Sequence, residues 1–572
     1  MTALKIWKTK SADADFARQL ARELKLPPIL ADVLSGYGFA DIAAVERFLN
    51  PKLKDVSDPF LIPQMEAAVR RIWRAVDKGE KILVFGDYDV DGVTSAALMF
   101  KALGSLGALC LKPCLPNRLD DGYGLTVEAL QRGLEKEKPD LIVTVDCGTT
   151  AHAAAKYIKA QNIDLIITDH HELSPEMPEA LAVINPKLGD SDALKMLSGV
   201  GVAFMLCCAL VKYGRTRGFD LRGIELKDYL DLVALGTVAD VVPLLCENRI
   251  FARHGLAHIN KFPSPAWEAL RSAASLNGRL DAYHLSFCVA PRLNAAGRLD
   301  TADAALELFM TGDKKRAGDI ANRLDQANRE RQAIEKRILS EAIAEIDGYF
   351  DEKMNFGLVV GKRGWHVGVI GIVASRLTAR YNRPAIVIGF DEDGAGRGSA
   401  RSIEGYNILD GLHACVSCLT GCGGHEMAAG LEMNEAQLDA LRKNFNRVAS
   451  EKLKNADLRK VQPVNAWIGL DEVSEENLEE LERLAPFGQN NLKPVFAARK
   501  VKITGQPRVM AEKHLRFNVS DGKETVAAVA FNQAGREIPN GELDVAFQIR
   551  KNSFNGSENL ELNVLDFRKT NA

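Results

Sequence analysis

Residues 81–95, KILVFGDYDVDGVTS, place a short apolar run directly before a cluster of acids. The run from Ile82 to Phe85 has the length and β-branched content of a buried parallel strand. Open α/β sheets bind ligands at the carboxyl ends of their strands. Because like charges this close repel one another, the motif predicts a site for a hard divalent cation. The three carboxylates, at alternate positions after Gly86, are Asp87, Asp89 and Asp91.

Two other structures share part of this motif. An EF-hand calcium loop also opens with Asp-x-Asp-x-Asp-Gly, but it needs a Glu at its twelfth position. Counting from Asp87, that position is Leu98, and a strand rather than a helix is predicted before the loop, which excludes the calcium loop. A polar turn whose Asp side chains cap the next helix stays open on this motif alone.

Two later segments repeat the pattern of an apolar strand that ends at an acid. Residues 140–148, DLIVTVDCG, end at Asp146 and a glycine, and residues 163–171, IDLIITDHH, end in Asp-His-His. The stretches between them suit crossover helices, so the predicted order is β-α-β-α-β. Strands of such a unit lie parallel and their carboxyl ends share one edge. The acids and the histidine pair are therefore expected to converge.

A fourth acid follows a segment that is apolar enough for a buried helix. Residues 231–243, DLVALGTVADVVP, deliver Asp240 just before a Pro-terminated turn. A buried carboxylate without a partner is costly, so Asp240 needs a cation or strong donors. A donor set of carboxylates and imidazole without thiolate favours Mn²⁺ or Mg²⁺ over structural zinc. Four Asp and one or two His exceed the need of one ion, which predicts two metals about 3.5–4 Å apart that share an Asp.

These segments resemble the motifs of a known superfamily. GDYDVDG (86–92), VDCG (145–148), DHH (169–171) and GTVAD (236–240) resemble the four motifs of the DHH phosphoesterases. GWHVGVIGIVASRL (364–377) and GCGGHEMAAG (421–430) resemble the DHH-associated domain, and LAPFG (484–488) resembles the start of the last domain in RecJ proteins. By this resemblance the chain is identified as a member of the RecJ family of single-strand-specific 5′→3′ DNA exonucleases.

The resemblance implies two-metal hydrolysis of single-stranded DNA to mononucleotides, in DNA repair and recombination, with Mn²⁺ preferred or Mg²⁺. His171 is expected to protonate or stabilise the leaving group, while Asp91 and Asp169 orient neighbouring side chains. One departure is Phe85, because some superfamily members supply a His ligand at that position. The implied metal ligands are Asp87, Asp89, Asp146 (the bridge), His170 and Asp240.

A DNA end needs contacts that hold its phosphates. The glycines of residues 421–425 offer closely spaced backbone N–H groups, and arginine forks match phosphate geometry. A plain turn and ordinary interdomain ion pairs are the alternatives. By resemblance, the strongest of these candidates are Arg118, Arg292, Ser399 and Arg401. The full set of predicted phosphate and DNA contacts is Arg118, Arg292, Arg298, Ser399, Arg401, Gly423, Gly424 and His425.

The fold class predicted is α/β: a parallel-sheet DHH domain and a DHH-associated domain joined by a long helix, plus a C-terminal OB-like β-barrel. Residues 493–516 carry seven Lys or Arg against one Glu, with Phe496 and Phe517 as stacking platforms, which suits single-strand binding. A solvated barrel face is the alternative. The predicted domains are 1–75, a helical segment packed on the DHH domain; 76–300, the DHH domain; 301–349, a connecting helix; 350–458, the DHH-associated domain; and 459–572, the OB-fold domain.

Composition bounds the remaining possibilities. The 572 residues, 47% hydrophobic and 26% charged, describe a globular protein of several domains. The most apolar stretch, Leu197 to Val211, is too short to cross a bilayer and is predicted as a buried helix. The ten cysteines suggest a reducing cytoplasm. Of these, Cys415, Cys418 and Cys422 are predicted to pack in a core rather than bind zinc.

The expected substrate partner is single-stranded DNA, and candidate protein partners are a single-strand-binding protein and a helicase. A cytoplasmic monomer without membrane attachment is expected. Two other functions remain open: a DHH enzyme for pyrophosphate or short oligonucleotides, and a non-catalytic replication scaffold. Digestion of long DNA separates the first, and loss of Mn²⁺ binding would favour the second.

Overall fold

The computed structural model describes residues 5–11, 13–117, 124–134, 138–221, 223–299, 301–554 and 557–570. The N-terminal part has a short strand and three helices. Asp13 caps the first helix by accepting the Asp15 and Phe16 amides, and Asp41 caps the third through the Ala44 amide. These elements are β1 (Ile6–Thr9), α1 (Ala14–Glu23), α2 (Pro28–Ser35) and α3 (Ile42–Leu49).

The first α/β domain has a five-stranded, fully parallel sheet in the order β3-β2-β4-β5-β6. Strands β2 and β4 are buried along their whole length, as expected for a sheet covered on both faces. The predicted β-α-β-α-β order is confirmed. The elements are α4 (Met65–Lys78), β2 (Ile82–Gly86), α5 (Val90–Ser105), β3 (Leu111–Cys114), α6 (Val127–Leu134), β4 (Leu141–Val145), α7 (His152–Ala160), β5 (Asp164–Thr168) and β6 (Ala182–Ile184).

A helical layer completes this domain and leads to the connecting helix. Helix α9 is the one helix in the described ranges long and apolar enough for a membrane span, and 72% of that stretch is buried inside the protein. The predicted buried helix is therefore confirmed, although it has 18 residues. The elements are α8 (Asp192–Lys195), α9 (Gly199–Thr216), α10 (Leu230–Ala239), α11 (Cys246–Lys261), α12 (Pro265–Ala273), a π-helical turn (His284–Val289), α13 (Ala290–Leu299), α14 (Asp303–Met310) and the long α15 (Lys314–Asp347).

The second α/β domain has a mixed sheet in the order β10-β11-β9-β8-β7. Only β7 and β8 are parallel; the other neighbours are antiparallel. The elements are β7 (Leu358–Arg363), α16 (Val367–Tyr381), β8 (Ala385–Phe390), β9 (Ala395–Arg401), α17 (Ile408–His413), β10 (Gly421–Gly424), β11 (Ala428–Asn434) and α18 (Leu438–Leu453).

The C-terminal domain is a closed five-stranded barrel. Its order β14-β15-β16-β18-β17 closes because β17 also pairs with β14, which confirms the OB-like prediction. The elements are β12 (Val461–Val464), β13 (Ala466–Trp467), α19 (Glu475–Leu481), β14 (Phe496–Met510), β15 (His514–Ser520), β16 (Thr525–Ala530), β17 (Leu543–Phe554) and β18 (Ser557–Lys569).

The N-terminal helices differ from the prediction that residues 1–75 pack on the first α/β domain. Of residues 1–75, only α4 and the segment just before it join that core, through residues such as Ile72 and Ile62. Leu30 and Leu34 instead lie in one buried cluster with Leu478 of α19 and the barrel interior. Strand β1 pairs in parallel with β12, so backbone hydrogen bonds tie the start of the chain to its C-terminal domain. An amphipathic helix has an apolar face but does not specify its partner, and this explains the error.

Arg249 of α11 joins three parts of the chain. Its guanidinium donates to the carbonyl oxygens of Phe48 (2.7 Å) and Leu484 (2.8 Å), and also to that of Ala485 (3.0 Å). The guanidinium carbon lies 3.7 Å from the centroid of the Phe48 ring. Burial lowers the pKa of Arg249 to about 9. The first domain, the N-terminal helices and the LAPFG segment are thus held by one buried side chain.

Candidate metal centre and nucleic-acid contacts

Asp87 lies at the carboxyl end of β2, where the chain turns into α5. It is 1% exposed, and one carboxylate oxygen accepts the Tyr88 amide at 2.8 Å. A Cβ on Gly92 would lie 2.4 Å from the Asp87 carbonyl oxygen, and one on Gly86 would lie 2.9 Å from the Gly92 carbonyl oxygen. No side chain fits at such distances, so the turn that presents Asp87 needs both glycines.

Asp89 and Asp91 cap two different helices. Asp89 accepts the Gly92 amide (3.1 Å) at the start of α5. Asp91 accepts the amides of Gly199 (2.6 Å) and Val200 (2.9 Å) at the start of α9, where the helix dipole favours a carboxylate. Since Asp91 caps α9 and not the next helix along the chain, the capping alternative holds for Asp89 alone. It does not account for the second oxygen of Asp87, which has no hydrogen-bond partner.

Three potential metal ligands from other segments of the chain, His170, Asp146 and Asp240, converge beside this loop. His170 Nε2 lies 3.2 Å from Asp146 Oδ1, 3.6 Å from Asp240 Oδ2 and 3.9 Å from Asp91 Oδ2. Asp146 has φ +60°, a left-handed conformation that costs about 1–3 kcal/mol outside glycine and clusters at functional sites. A Cβ on Gly199 would lie 2.3 Å from Asp146 Oδ1, so α9 must begin with a glycine here.

The potential ligand atoms form overlapping groups in which all atoms lie within 4.8 Å of one another. Asp146 and His170 each belong to two groups, so the groups outline one composite pocket. Buried charged atoms without partners are rare unless a ligand satisfies them, and this donor set suits Mn²⁺ or Mg²⁺. The groups are Asp87/Asp89/Asp146, Asp146/His170/His171 and Asp91/His170/Asp240. Within these groups, the buried atoms without a hydrogen-bond partner are Asp87 Oδ2, Asp146 Oδ1, His170 Nε2 and Asp240 Oδ2.

Burial and mutual repulsion raise the pKa values of these carboxyl groups. Burial, followed by the charge of Asp89, raises the pKa of Asp87 to about 8 and that of Asp91 to about 7. Burial and the neighbouring carboxylates raise the pKa values of Asp146 and Asp240 well above their usual range. Several negative charges are therefore held together at a free-energy cost that a divalent cation would remove.

His171 and Asp169 form a hydrogen-bonded pair after β5. His171 Nδ1 lies 2.7 Å from Asp169 Oδ1, and Asp169 also accepts the Thr149 amide at 2.8 Å. Burial opposes ionisation of Asp169, but these donors hold its pKa below the usual range. Burial alone would lower the pKa of His171, whereas its bond to Asp169 raises it overall. This is the geometry of an imidazole oriented to act as an acid.

Phe85, the last residue but one of β2, belongs to the hydrophobic core and not to the acid cluster. It is fully buried in a cluster with Leu130 and Ile142, between the sheet and α6. A buried phenyl ring offers no ligand atom, so this position supplies no metal ligand.

Asn294 was missed by the sequence analysis. Its Oδ1 accepts the Val90 amide at 3.1 Å, and thus α13 holds the loop that carries the acids. A Cβ on the neighbouring Gly297 would lie 3.2 Å from the Tyr88 carbonyl oxygen. The local sequence carries no signal for this contact, because Val90 and Asn294 are 204 positions apart in the chain.

The two predicted α13 arginines make contacts within the protein. Arg292 Nε lies 2.9 Å from Asp325 Oδ1 of α15. Arg298 donates to the Gly368 carbonyl oxygen (3.1 Å) in α16 and so links the two α/β domains. The ion-pair alternative therefore holds for Arg292. Arg118 lies outside the described residues.

Ser399 and Arg401 lie side by side on β9, and Arg401 donates to Ser399 Oγ at 2.9 Å. Gly423 and Gly424 are part of an edge strand, β10, opposite Gly430 and Ala429 of β11. Successive N–H groups of a strand point in opposite directions, so strand geometry alone does not bring these two amides together, and a phosphate contact at the two glycines stays a prediction.

His425 lies at the end of β10 and faces the first domain. The hydrogen bond from Lys187 lowers the pKa of Glu172, and the charge of His425 adds to this effect. Since Glu172 directly follows the His pair, His425 lies near the segment that carries His170 and His171.

Two secondary predictions have clear outcomes. Cys415 and Cys418 are buried in the core of the second domain, as predicted.

Phe496 and Phe517 were predicted as stacking platforms, but both point into the barrel core, 1% and 4% exposed. An alternating strand does not reveal from sequence which of its faces is inside.

The basic stretch of the barrel nevertheless forms an exposed cationic surface. Arg508 of β14 is directly opposite Arg516 of β15, and both are exposed. Like charges in this position destabilise a sheet. No carboxylate of the described residues forms an ion pair with either arginine, so the surface suits an anionic ligand such as a nucleic-acid backbone.

Comparison with family models divides the chain in the same way as the sheets. The DHH family N-terminal domain matches residues 81–237, the DHHA1 domain matches residues 354–451, and the RecJ OB domain matches residues 464–566.

Similar proteins extend over the whole chain. The single-stranded-DNA-specific exonuclease RecJ of Salmonella typhimurium is 35% identical, over 97% of this chain and 98% of that protein. RecJ of Bacillus subtilis is 35% identical, over 98% of this chain and 70% of that protein. The crystal structure of RecJ from Thermus thermophilus in complex with Mn²⁺ matches 99% of this chain and 80% of that one, with a TM-score of 0.84 and 29% identity.

Proposed function

Because the chain belongs to the RecJ family, we propose that it hydrolyses single-stranded DNA from the 5′ end to mononucleotides by two-metal-ion catalysis. The observation that carries this proposal is the set of four buried, unpartnered polar atoms at the metal centre. They come from four separate segments, which makes a chance arrangement of surface acids a poor explanation.

In this proposal Asp87, Asp89, Asp146, His170 and Asp240 hold two divalent cations, Mn²⁺ or Mg²⁺. When bound, the cations polarise the attacking water and the scissile phosphate and neutralise charge on the leaving 3′-oxygen. Asp146 would be the shared ligand: Asp146 and His170 both belong to two of the ligand groups, but only the carboxylate offers two oxygens. Asp91 positions the loop by tying α5 to α9.

His171 donates a proton to the leaving 3′-oxygen. Its Nδ1 is held by Asp169 Oδ1 at 2.7 Å, which leaves Nε2 as the atom that can face the substrate. The raised pKa keeps a larger fraction of the imidazole protonated near neutral pH. The side chain is 36% exposed, so a substrate in the cleft can reach it.

The second domain and the barrel hold the strand. Ser399, Arg401 and His425 contact the terminal phosphate across the cleft, and Arg508 and Arg516 bind the backbone farther from the end. Arg298 stabilises the domain arrangement through Gly368. A barrel with a cationic surface favours long strands over pyrophosphate or dinucleotides.

The test uses an internally labelled strand of 30 or more nucleotides with Mn²⁺, beside the same strand fully duplexed. Release of mononucleotides from the single strand alone, absent in Asp146→Ala, is the expected result. Rapid dinucleotide cleavage with inert long DNA would reassign the chain to the small-substrate enzymes. No hydrolysis and no Mn²⁺ binding would favour the scaffold.

The cellular setting is part of the same proposal. The ten cysteines are free thiols, which suits the cytoplasm. A helicase would supply the single strand and a single-strand-binding protein would keep it open. A monomer is proposed, and light scattering of the purified protein tests it.

A further inference from the structure

Two aromatic rings are exposed on the first domain without a role in the site described above. Tyr283 is 62% exposed and Phe287 is 66% exposed, and their ring centroids lie 4.9 Å apart with an interplanar angle of 32°. They lie at the π-helical turn that leads into α13. Such π-turns occur frequently at functional sites.

The rings of Tyr283 and Phe287 do not pack in the hydrophobic core of the domain. Leu285 and Val289 of the same turn are fully buried and anchor it to the domain interior. Tyr283 and Phe287 point the other way. Two rings form too small a surface for a stable protein interface, which buries about 800 Å² per partner. A planar ligand that stacks on a ring fits them better.

The helix that carries the pair leads directly to the metal centre. Phe287, Pro291, Asn294 and Arg298 are spaced by four, three and four residues and therefore share one helix face. Asn294 holds the acidic loop through the Val90 amide. Phe287 lies seven and Tyr283 eleven residues before Asn294 in this helical segment, so both rings lie within about 17 Å of Asn294 along the axis.

Arginines continue this path toward the C-terminal domain. Arg279 is exposed and lies four residues before Tyr283. Arg253 lies one turn after Arg249 on α11, and Arg249 donates to the Arg483 carbonyl oxygen at 3.2 Å. The Leu280 amide, next to Arg279, donates to Asn260 Oδ1 of the same helix at 2.8 Å. Burial, and then the charges of Arg483 and Arg279, lower the pKa of Arg253. Arg483 belongs to the segment that precedes the barrel. The nearby acid Asp281 is paired with His284 at 2.6 Å.

We propose that Tyr283 and Phe287 stack on bases of the single strand between the barrel and the metal centre. The inference rests on the proposed function, because it assigns part of the route that the substrate takes. Aromatic rings accept any base, so the contact would hold the strand without sequence preference. The cations of Arg279 and Arg253 would neutralise the phosphates beside the stacked bases.

The test replaces both rings by leucine, Tyr283→Leu with Phe287→Leu, which keeps apolar bulk and removes the π-faces. The matched control is Tyr349→Leu, which alters a ring that is 39% exposed just after the connecting helix. Binding is measured in the Asp146→Ala background, so that the strand stays intact. The probe is a 30-nucleotide single strand with 2-aminopurine at one position, moved stepwise from the 5′ end.

The expected result is quenching of 2-aminopurine at a small set of positions near the 5′ end, which the double variant loses and the control keeps. The dissociation constant for the strand should rise about tenfold in the double variant. Unchanged quenching and affinity would overturn the proposal. Unchanged DNA binding with altered self-association would overturn it in favour of a protein contact.

Hydrolysis of the unmodified strand by the wild-type chain is measured in parallel. If the chain does not hydrolyse it, the proposed function fails, whereas the stacking contact is still decided by the binding data.

Discussion

The Arg249 junction and the metal centre both bury charged groups in the first domain. They differ in whether other groups of the protein form hydrogen bonds with those buried groups. Arg249 donates to backbone carbonyl oxygens and lies on the Phe48 ring. At the metal centre, Asp87, Asp146 and Asp240 each keep a buried oxygen without a partner. A buried charge that the protein satisfies stabilises the fold, whereas one left for a ligand marks a site.

The largest expected effect is that of Asp146→Ala. We expect a loss of at least about 10³-fold in kcat for single-stranded DNA, since one shared ligand of two cations is removed. The thermal midpoint of the metal-free protein should stay the same or rise, because one repelling carboxylate is gone.

Asp231→Asn is the matched control for that comparison. Asp231 is also buried, but it accepts the Trp267 indole N–H (2.9 Å) and the Leu232 amide (2.8 Å). This variant should lose stability and keep its activity. Equal losses of activity in both variants would contradict the distinction between satisfied and unsatisfied charges.

Arg249→Met should give the opposite result to Asp146→Ala. Each buried acceptor left without a donor costs about 1–3 kcal/mol, so for the three acceptors named above we expect at least about 3 kcal/mol of lost stability. Thermal unfolding monitored by circular dichroism measures this. Arg253→Met, which removes one contact to the Leu49 carbonyl oxygen, should cost about 1 kcal/mol. Similar unfolding midpoints in the two variants would show that the junction is not a special contact.

Asp169→Asn tests a buried carboxylate of the site that does have hydrogen-bond partners, the His171 ring and the Thr149 amide. We expect kcat to fall about 10–100-fold, because His171 loses the partner that orients it. Asp169 raises the pKa of His171, and an acid is active only while protonated. The alkaline limb of the pH–kcat profile should therefore move to lower pH in the variant. An unmoved limb would assign the proton to another group, and His152→Ala serves as a control without effect.

The smallest expected effect is the dependence of the protein's stability on pH and on bound metal. A carboxyl group whose pKa is raised on folding favours the folded state while it is protonated, so this contribution is lost as pH rises through the folded pKa. For Asp87 the window extends from about 4, the unfolded value, to about 8. Stability of the metal-free protein should fall across it.

Because Mn²⁺ removes the repulsion, it should raise the thermal midpoint by a few degrees more at pH 8 than at pH 6. Asp146→Ala should reduce that difference. If Mn²⁺ raised the thermal midpoint equally at pH 8 and pH 6, repulsion among the buried carboxylates would not explain the effect of the metal.

Much of the first domain could be predicted from local patterns. Apolar runs of five or six residues that end at Asp87, Asp146 and Asp169 are short buried strands, and parallel strands bring their ends together. The β10 glycines could not be predicted in the same way. Whether such a stretch turns or extends depends on a partner, here β11, which the stretch itself does not encode.

The amino-acid sequence alone thus determined the order of elements, the acid-tipped strands and the family, because these are written in spacings of a few residues. Only the tertiary structure decided which polar atoms stay unpartnered. It also decided that Asp91 caps α9, that Asn294 holds the acidic loop and that the N-terminal helices join the barrel. These contacts link residues far apart in the chain, and hydrogen bonds and burial depend on distances in space that local periodicity does not contain.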